Sequence, residues 1–153
     1  MSEPRILVTE PIVDDVISYL RQFGDVTVGQ RGVFDSEQAL ISELPNFDAA
    51  LTMLSNPVTR KVLESCPQIQ IIANHAVGYD NIDIEAARDL NIPIANTPGV
   101  LTDASADGTL ALLLATVRRI PEAQQFLRDG NFDGWHPLGF LGMELRTCTL
   151  GIY

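Results

Sequence analysis

The residues of this chain that could do chemistry gather around one stretch, Asn74-His75-Ala76-Val77-Gly78-Tyr79-Asp80-Asn81-Ile82-Asp83. It follows an apolar run, Ile69 to Ala73, that reads as a buried strand, and it leads into a helix starting near Asp83. A strand that stops at a glycine-containing turn before a helix presents backbone N–H groups at the carboxyl edge of a sheet. In open α/β sheets that edge is where ligands bind. The chemistry on offer is therefore the holding of a small anion by main-chain amides. The side chains nearby have plainer readings. Gly78 suits a turn that needs positive φ, and Asp80 and Asp83 suit helix capping better than a carboxylate pair. His75 beside the turn is placed for acid/base work, but a histidine at a strand end is more often a hydrogen-bonded structural residue. His136, between Trp135 and Pro137, favours local packing. Two histidines, far apart and without clustered carboxylates, argue against a metal site. Cys66 and Cys148 match no metal spacing and read as free thiols rather than a disulfide.

Composition narrows the class of partner. The chain has 153 residues, 46% of them hydrophobic and 20% charged, which are globular values. A net charge of −10 argues against nucleic acid, because phosphate binding needs clustered Lys and Arg. It does not exclude a carboxylate bound locally by backbone amides. Met1-Ser2-Glu3-Pro4-Arg5 lacks a basic region followed by an apolar one, and the apolar cluster from Leu110 to Val117 is too short to span a bilayer. A soluble, cytoplasmic protein without a membrane segment is expected.

The elements that must position the turn are legible from periodicity. Arg5 to Thr9 is a β-branched run, and Pro11 suits the first turn of a helix carrying Ile12, Val13, Val16, Ile17 and Leu20. Val26 to Val28 is a second strand, and Ser36 can cap a helix carrying Ala39, Leu40 and Leu44. Phe47 to Met53 reads as a third strand, Asn56-Pro57 as the opening of a helix through Leu63, and Ile69 to Ala73 as the fourth strand. The helix from Asp83 carries Ile84, Ala87 and Leu90, and Ile92 to Ala95 is the fifth strand. Such alternation predicts a parallel five-stranded sheet covered by helices on both faces. The pattern changes at Thr97-Pro98-Gly99. A long helix from Thr102 to Arg119, capped by Thr102 or Asp103, places Leu110, Leu113, Leu114 and Val117 on one face. Pro121 restarts a helix that runs to Gly130, a loop rich in glycine and aromatics fills 131–142, and Cys148 to Tyr153 reads as one more strand.

Four stretches together carry a resemblance: Thr52-Met53-Leu54-Ser55, Ala76 to Asp83, Asn96-Thr97-Pro98-Gly99-Val100-Leu101-Thr102-Asp103, and Gly134 to Gly142. In this order and spacing the chain resembles the D-isomer-specific 2-hydroxyacid dehydrogenases, and within them the glyoxylate/hydroxypyruvate reductase branch. The resemblance implies an α/β fold. A doubly wound substrate-binding domain of flavodoxin-like topology (1–98) would be followed by an interdomain helix and the first strand of an incomplete Rossmann domain (99–153). It implies that the backbone amides of Val77 and Gly78 hold a substrate carboxylate, that Leu54 lines the same pocket, and that Thr102 faces an NAD or NADP cofactor. The loop from Trp135 to Leu141 resembles one that reaches toward the active site, often of a partner subunit.

What the 153 residues omit is equally informative. Leu150-Gly151-Ile152-Tyr153 matches the strand before the family's Gly-x-Gly-x-x-Gly turn, and no such turn occurs in the sequence. The family's catalytic arginine, its histidine and the carboxylate that orients it have no counterpart either. No catalytic residue is therefore assigned, no tight cofactor binding is expected, and this polypeptide alone is expected not to turn over a 2-oxoacid. A different class of reading is a non-catalytic module that binds a small carboxylate or a protein partner. A receiver domain is disfavoured, because Glu10-Pro11 follows the first strand where an acidic cluster would be needed. The apolar face of the helical region 102–129 predicts a homodimer.

Overall fold

The computed structural model describes residues 3–152, and it divides into two compact units that meet between Val100 and Leu101. The sequence places that change at 98/99.

The first unit is built on short strands with hydrophobic, mostly β-branched or small residues: β1 (Arg5–Val8), β2 (Asp25–Val28), β3 (Ala49–Thr52), β4 (Ile71–Asn74) and β5 (Ile94–Ala95). They form one sheet in the order β2-β1-β3-β4-β5, and every neighbouring pair is parallel. This is the flavodoxin-like, doubly wound order. The crossovers run through α1 (Asp14–Leu20), α2 (Glu37–Glu43), α3 (Arg60–Ser65) and α4 (Ile84–Asp89).

Strand alternation divides the buried side chains between two faces. Leu7 and Ile72 join the main cluster with Leu40 of α2, Val62 and Leu63 of α3, and Ala86 and Ala87 of α4. Ile6 and Val8, on the opposite side of β1, and Ile17 of α1 are buried outside that cluster. Burying an aliphatic side chain of this size is worth about 1.5–3 kcal/mol, so the main cluster dominates the stability of the unit.

Capping follows the expected chemistry in two places. The Ser36 hydroxyl accepts from the Ala39 amide at 3.3 Å, and the Asp83 carboxylate accepts from the Ala86 amide at 2.8 Å. Elsewhere the sequence reading is corrected. Asn56-Pro57 does not open α3. Thr59 does, accepting from Val62 at 3.5 Å, because Asn56 is wholly buried and its side chain is engaged elsewhere.

The second unit holds α5 (Thr102–Val117) and α6 (Ile120–Arg128). Leu101 is the N-cap of α5 and no side chain caps it, so Thr102 and Asp103 lie inside the helix, in its first turn. Arg119, with φ of 56°, breaks the chain between α5 and α6, Pro121 sits in the first turn of α6, and Gly130 (φ 72°) follows its end. A glycine is required at Gly142, where a Cβ would lie 2.5 Å from the Val117 carbonyl oxygen. The strand expected from Cys148 is not formed. A 3-10 turn spans Leu145–Thr147, and 148–152 carry no strand pairing, while Tyr153 lies outside the described residues. A strand needs a neighbour for its N–H and C=O groups, and all the paired strands belong to the first unit. No residue of α5 or α6 is buried, and Leu110, Leu112 and Leu114 are exposed. No helix among the described residues is long and apolar enough to cross a membrane.

The two thiols make the packing testable. Cys66 is wholly buried, its Sγ lies 3.2 Å from the Val62 carbonyl oxygen, and burial pushes its pKa up to about 11. Cys148 is exposed. A thiol-disulfide reagent at neutral pH is expected to titrate one cysteine in the folded chain and both in denaturant. Rapid modification of Cys66 in the folded state would show that the α3 face is not packed as described.

Candidate functional site

The carboxyl edge of the sheet is organised by asparagines. Thr52 and Asn74 end β3 and β4 in register, and the Thr52 hydroxyl donates to Asn74 Oδ1 at 3.0 Å. Both residues are buried. One strand over, the Asn56 carboxamide bridges the ends of β1 and β3. Its Oδ1 accepts from the Thr9 hydroxyl at 2.6 Å and from the Met53 amide at 2.8 Å, while its Nδ2 donates to the Phe34 carbonyl at 3.2 Å. Asn81 Nδ2 donates to the carbonyls of Met53 (3.1 Å) and Asn56 (2.9 Å), and its Oδ1 accepts from Asn74 Nδ2 at 3.1 Å. The turn after β4 is thus tied to the turn after β3. Among the described residues no buried side-chain nitrogen or oxygen lacks a partner.

The peptide planes after β4 are held as well, one by this network and two by the segment after β5. Three successive carbonyls are held: Ala76 O by the Thr97 amide at 2.9 Å, Val77 O by Asn96 Nδ2 at 2.8 Å, and Gly78 O by Asn74 Nδ2 at 2.9 Å. In a trans peptide the C=O and the following N–H point in opposite directions. The planes that carry the N–H groups of Val77 and Gly78 are therefore fixed, and those two amides have no acceptor among the described residues. Val77 is exposed and Gly78 half-buried. Two preset donors on adjacent residues are a main-chain arrangement that can receive a carboxylate.

The structure brings Leu54 and Gly78 together. A Cβ placed on Gly78 would sit 3.8 Å from Leu54 Cδ2, and Leu54 is 57% exposed, so it forms an open apolar wall beside the amides. Gly78 does not have positive φ. The turn-glycine reading is corrected: the position tolerates a Cβ sterically, and what its absence provides is open space next to Leu54. Thr102 lies in the second unit, exposed, in the first turn of α5. His75 is exposed, and its side chain makes no hydrogen bond among the described residues. His136 does local work, its Nδ1 accepting from the Leu138 amide at 3.2 Å. No group of three or more His, Cys, Asp or Glu residues among those described could hold a metal ion. Tyr79 and Asn96 also line an open cleft of about 330 Å³ with Ile84, Arg88, Ile92 and Ile94.

Sequence reasoning pointed to the turn but missed the residues that shape it: Asn56, Asn74, Asn81 and Asn96. Their signal was available in part. Asn74 directly follows the apolar Ile71-Ile72-Ala73, and a polar residue continuous with a buried strand must find a partner.

Comparison with known proteins bears on this geometry. The family model described as "D-isomer specific 2-hydroxyacid dehydrogenase, catalytic domain" matches residues 6–147. The chain is similar to a glyoxylate reductase of Thermococcus litoralis, 42% identical over 98% of this chain and 46% of that protein. Among solved structures it is similar to the TT0316 protein of Thermus thermophilus, with a TM-score of 0.86 and 37% identity over 92% of this chain and 45% of that one. It is also similar to an NADPH-dependent glyoxylate/hydroxypyruvate reductase of Sinorhizobium meliloti in complex with NADP and malonate, with a TM-score of 0.70 and 30% identity over 90% of this chain and 42% of that one. The chain spans about half the length of the curated relatives it matches.

Asn56 is where the edge is most vulnerable. Asn56→Ala strands the Met53 amide and the Phe34 carbonyl and leaves the Thr9 hydroxyl only its 3.2 Å bond to the Leu51 carbonyl, and leaving buried groups unpaired costs about 1–3 kcal/mol each. Urea unfolding is expected to show a loss of at least about 2 kcal/mol. A change within error would mean that water replaces the carboxamide without penalty.

Proposed function

Because the chain belongs to the D-isomer specific 2-hydroxyacid dehydrogenases, we propose that its turn after β4 is the carboxylate-holding half of a glyoxylate/hydroxypyruvate reductase active site. The observation that carries this reading is the pair of amides at Val77 and Gly78 that have no acceptor among the described residues, on peptide planes whose carbonyls are already bonded. One carboxylate oxygen of a small 2-oxoacid accepts from each amide. Leu54 closes the side of the pocket and limits what can follow C2. Hydrogen bonds to a charged partner are worth about 1.5–3 kcal/mol each. After the cost of association, two of them support millimolar binding, near −4 kcal/mol.

In the full reaction a nicotinamide cofactor supplies the hydride that adds to C2 of the oxoacid, and the carbonyl oxygen takes a proton. The residues of this chain bind and orient. They do not supply the proton, since the exposed His75 side chain bonds to no carboxylate among the described residues. For the cofactor the donors present fit only an edge contact. The Thr102 hydroxyl and the uncapped first turn of α5 can meet a ribose or phosphate oxygen, but one hydroxyl and one helix end do not cradle a dinucleotide. NAD or NADP is therefore proposed as the cofactor of the complete enzyme and not as a tight ligand of these 153 residues. The exposed leucines of α5 support association of two copies through 102–129.

The test is a titration of the ¹⁵N-labelled chain with glyoxylate, followed at the amides of Val77 and Gly78. Saturable shifts at these residues in the millimolar range are expected, weakened at least about tenfold, or about 1.4 kcal/mol, in Gly78→Leu, with melting temperature unchanged. No shift at either amide would sink the reading. In the same solution, the 153-residue chain is expected to give no glyoxylate-dependent oxidation of NADH or NADPH.

A further inference from the structure

We infer that Asn96 is a positioning residue of the carboxylate site, holding the Val77–Gly78 peptide plane so that the Gly78 amide faces the ligand. This deepens the carboxylate-binding role proposed above and rests on it. Asn96 follows β5, and its Nδ2 donates to the Val77 carbonyl at 2.8 Å across a sequence separation of 19. The next residue, Thr97, donates its main-chain amide to the Ala76 carbonyl at 2.9 Å. The segment after β5 thus takes hold of two successive planes from one side. By peptide planarity, the N–H groups of Val77 and Gly78 are turned away from it.

The two anchors differ in what a mutation can reach. Thr97 uses its backbone, which any residue except proline reproduces. Asn96 uses its side chain, so the orientation of the Gly78 amide depends on residue identity at that position. Asn74 holds the following carbonyl, that of Gly78, but it is buried and also bonded to Asn81 and Thr52, so its removal disturbs the fold. The Asn96 bond is exposed and stands apart from the Asn56–Asn74–Asn81 network. Its loss frees one peptide plane and leaves the core untouched. Without Asn96 the plane must be ordered by the ligand at each binding event, a cost of about tenfold in affinity for the backbone of one residue.

The experiment compares the whole 153-residue chain with Asn96→Ala and Asn96→Gln in the glyoxylate titration, with thermal melting alongside. Asn96→Ala is expected to melt within a few degrees of the parent and to bind about tenfold more weakly, with the Gly78 amide shift reduced more than that of Val77. Asn96→Gln keeps the donor and is expected to recover part of the affinity. Equal binding by the parent and Asn96→Ala overturns the inference while leaving the carboxylate site standing. So does a chain that fails to fold in both variants, which would make the role purely structural. A parent that shows shifts near Arg88 of the neighbouring cleft, and none at Val77 or Gly78, overturns both the site and the positioning role.

Discussion

Carbonyl oxygens leaving the end of a parallel sheet must find donors, and at this edge asparagine side chains supply several of those that backbone amides do not. Between paired strands the C=O groups are satisfied by the neighbouring strand. Past the last paired residue the strand partners run out, while the chain is still close to the core. Asn56, Asn81, Asn74 and Asn96 answer that need at the carbonyls of Phe34, Met53 and Asn56, Gly78, and Val77 respectively. A primary carboxamide suits the task because it donates twice and accepts on the other side, so one buried residue can join three segments. The binding geometry follows from this. Once the carbonyls of the turn are bonded, its amides are left outward, and the capacity to hold an anion is the other side of a packing solution.

The same constraint bears on where the proposed site lies. In a sheet of order β2-β1-β3-β4-β5 the crossovers reverse direction at β1 and β3, and a ligand crevice is expected outside the ends of those two strands. Here the gap is filled from within. Asn56 bonds Thr9 at the end of β1 and Met53 at the end of β3, and the Phe34 ring packs so closely on Gly29, after β2, that a Cβ there would lie 2.5 Å from it. That crevice is closed, and the amides of Val77 and Gly78, one strand further along, have no acceptor among the described residues. The use proposed for the turn after β4 is consistent with the general rule for such sheets, displaced by one strand because protein atoms occupy the first position.

The sheet was legible in the sequence because five short apolar runs alternate with helical periodicity, and hydrophobic spacing reports that directly. Capping was legible at Ser36 and Asp83, where one side chain acts on an amide three residues on. Asn56 was misread as a helix opener for a physical reason. An asparagine before proline has a strong local meaning, whereas its actual bonds, to Thr9 and Phe34, are set by strand order and span long stretches of sequence. Gly78 was misread in the same way, since glycine in a turn suggests positive φ and the backbone there does not use it. The strand expected after Cys148 failed for want of a neighbour, which no local pattern can supply.

The two units also differ in how they are held. The first carries the buried cluster and hydrogen-bonded crossovers of a self-sufficient fold. The second has packing of its own, with the Phe126 and Phe140 rings edge to face at 5.1 Å and Met143 donating to the Val117 carbonyl at 2.8 Å, yet neither of its helices buries a residue. Sixteen residues of α5 in which leucines stay in contact with solvent gain little of the hydrophobic stabilisation that usually holds a helix in place. The buried core and the turn proposed to bind a carboxylate therefore reside together in the first unit. A carboxylate held by Val77 and Gly78 needs only that unit, and the identity of the anchoring asparagines matters to binding whatever the helices of the second unit come to pack against.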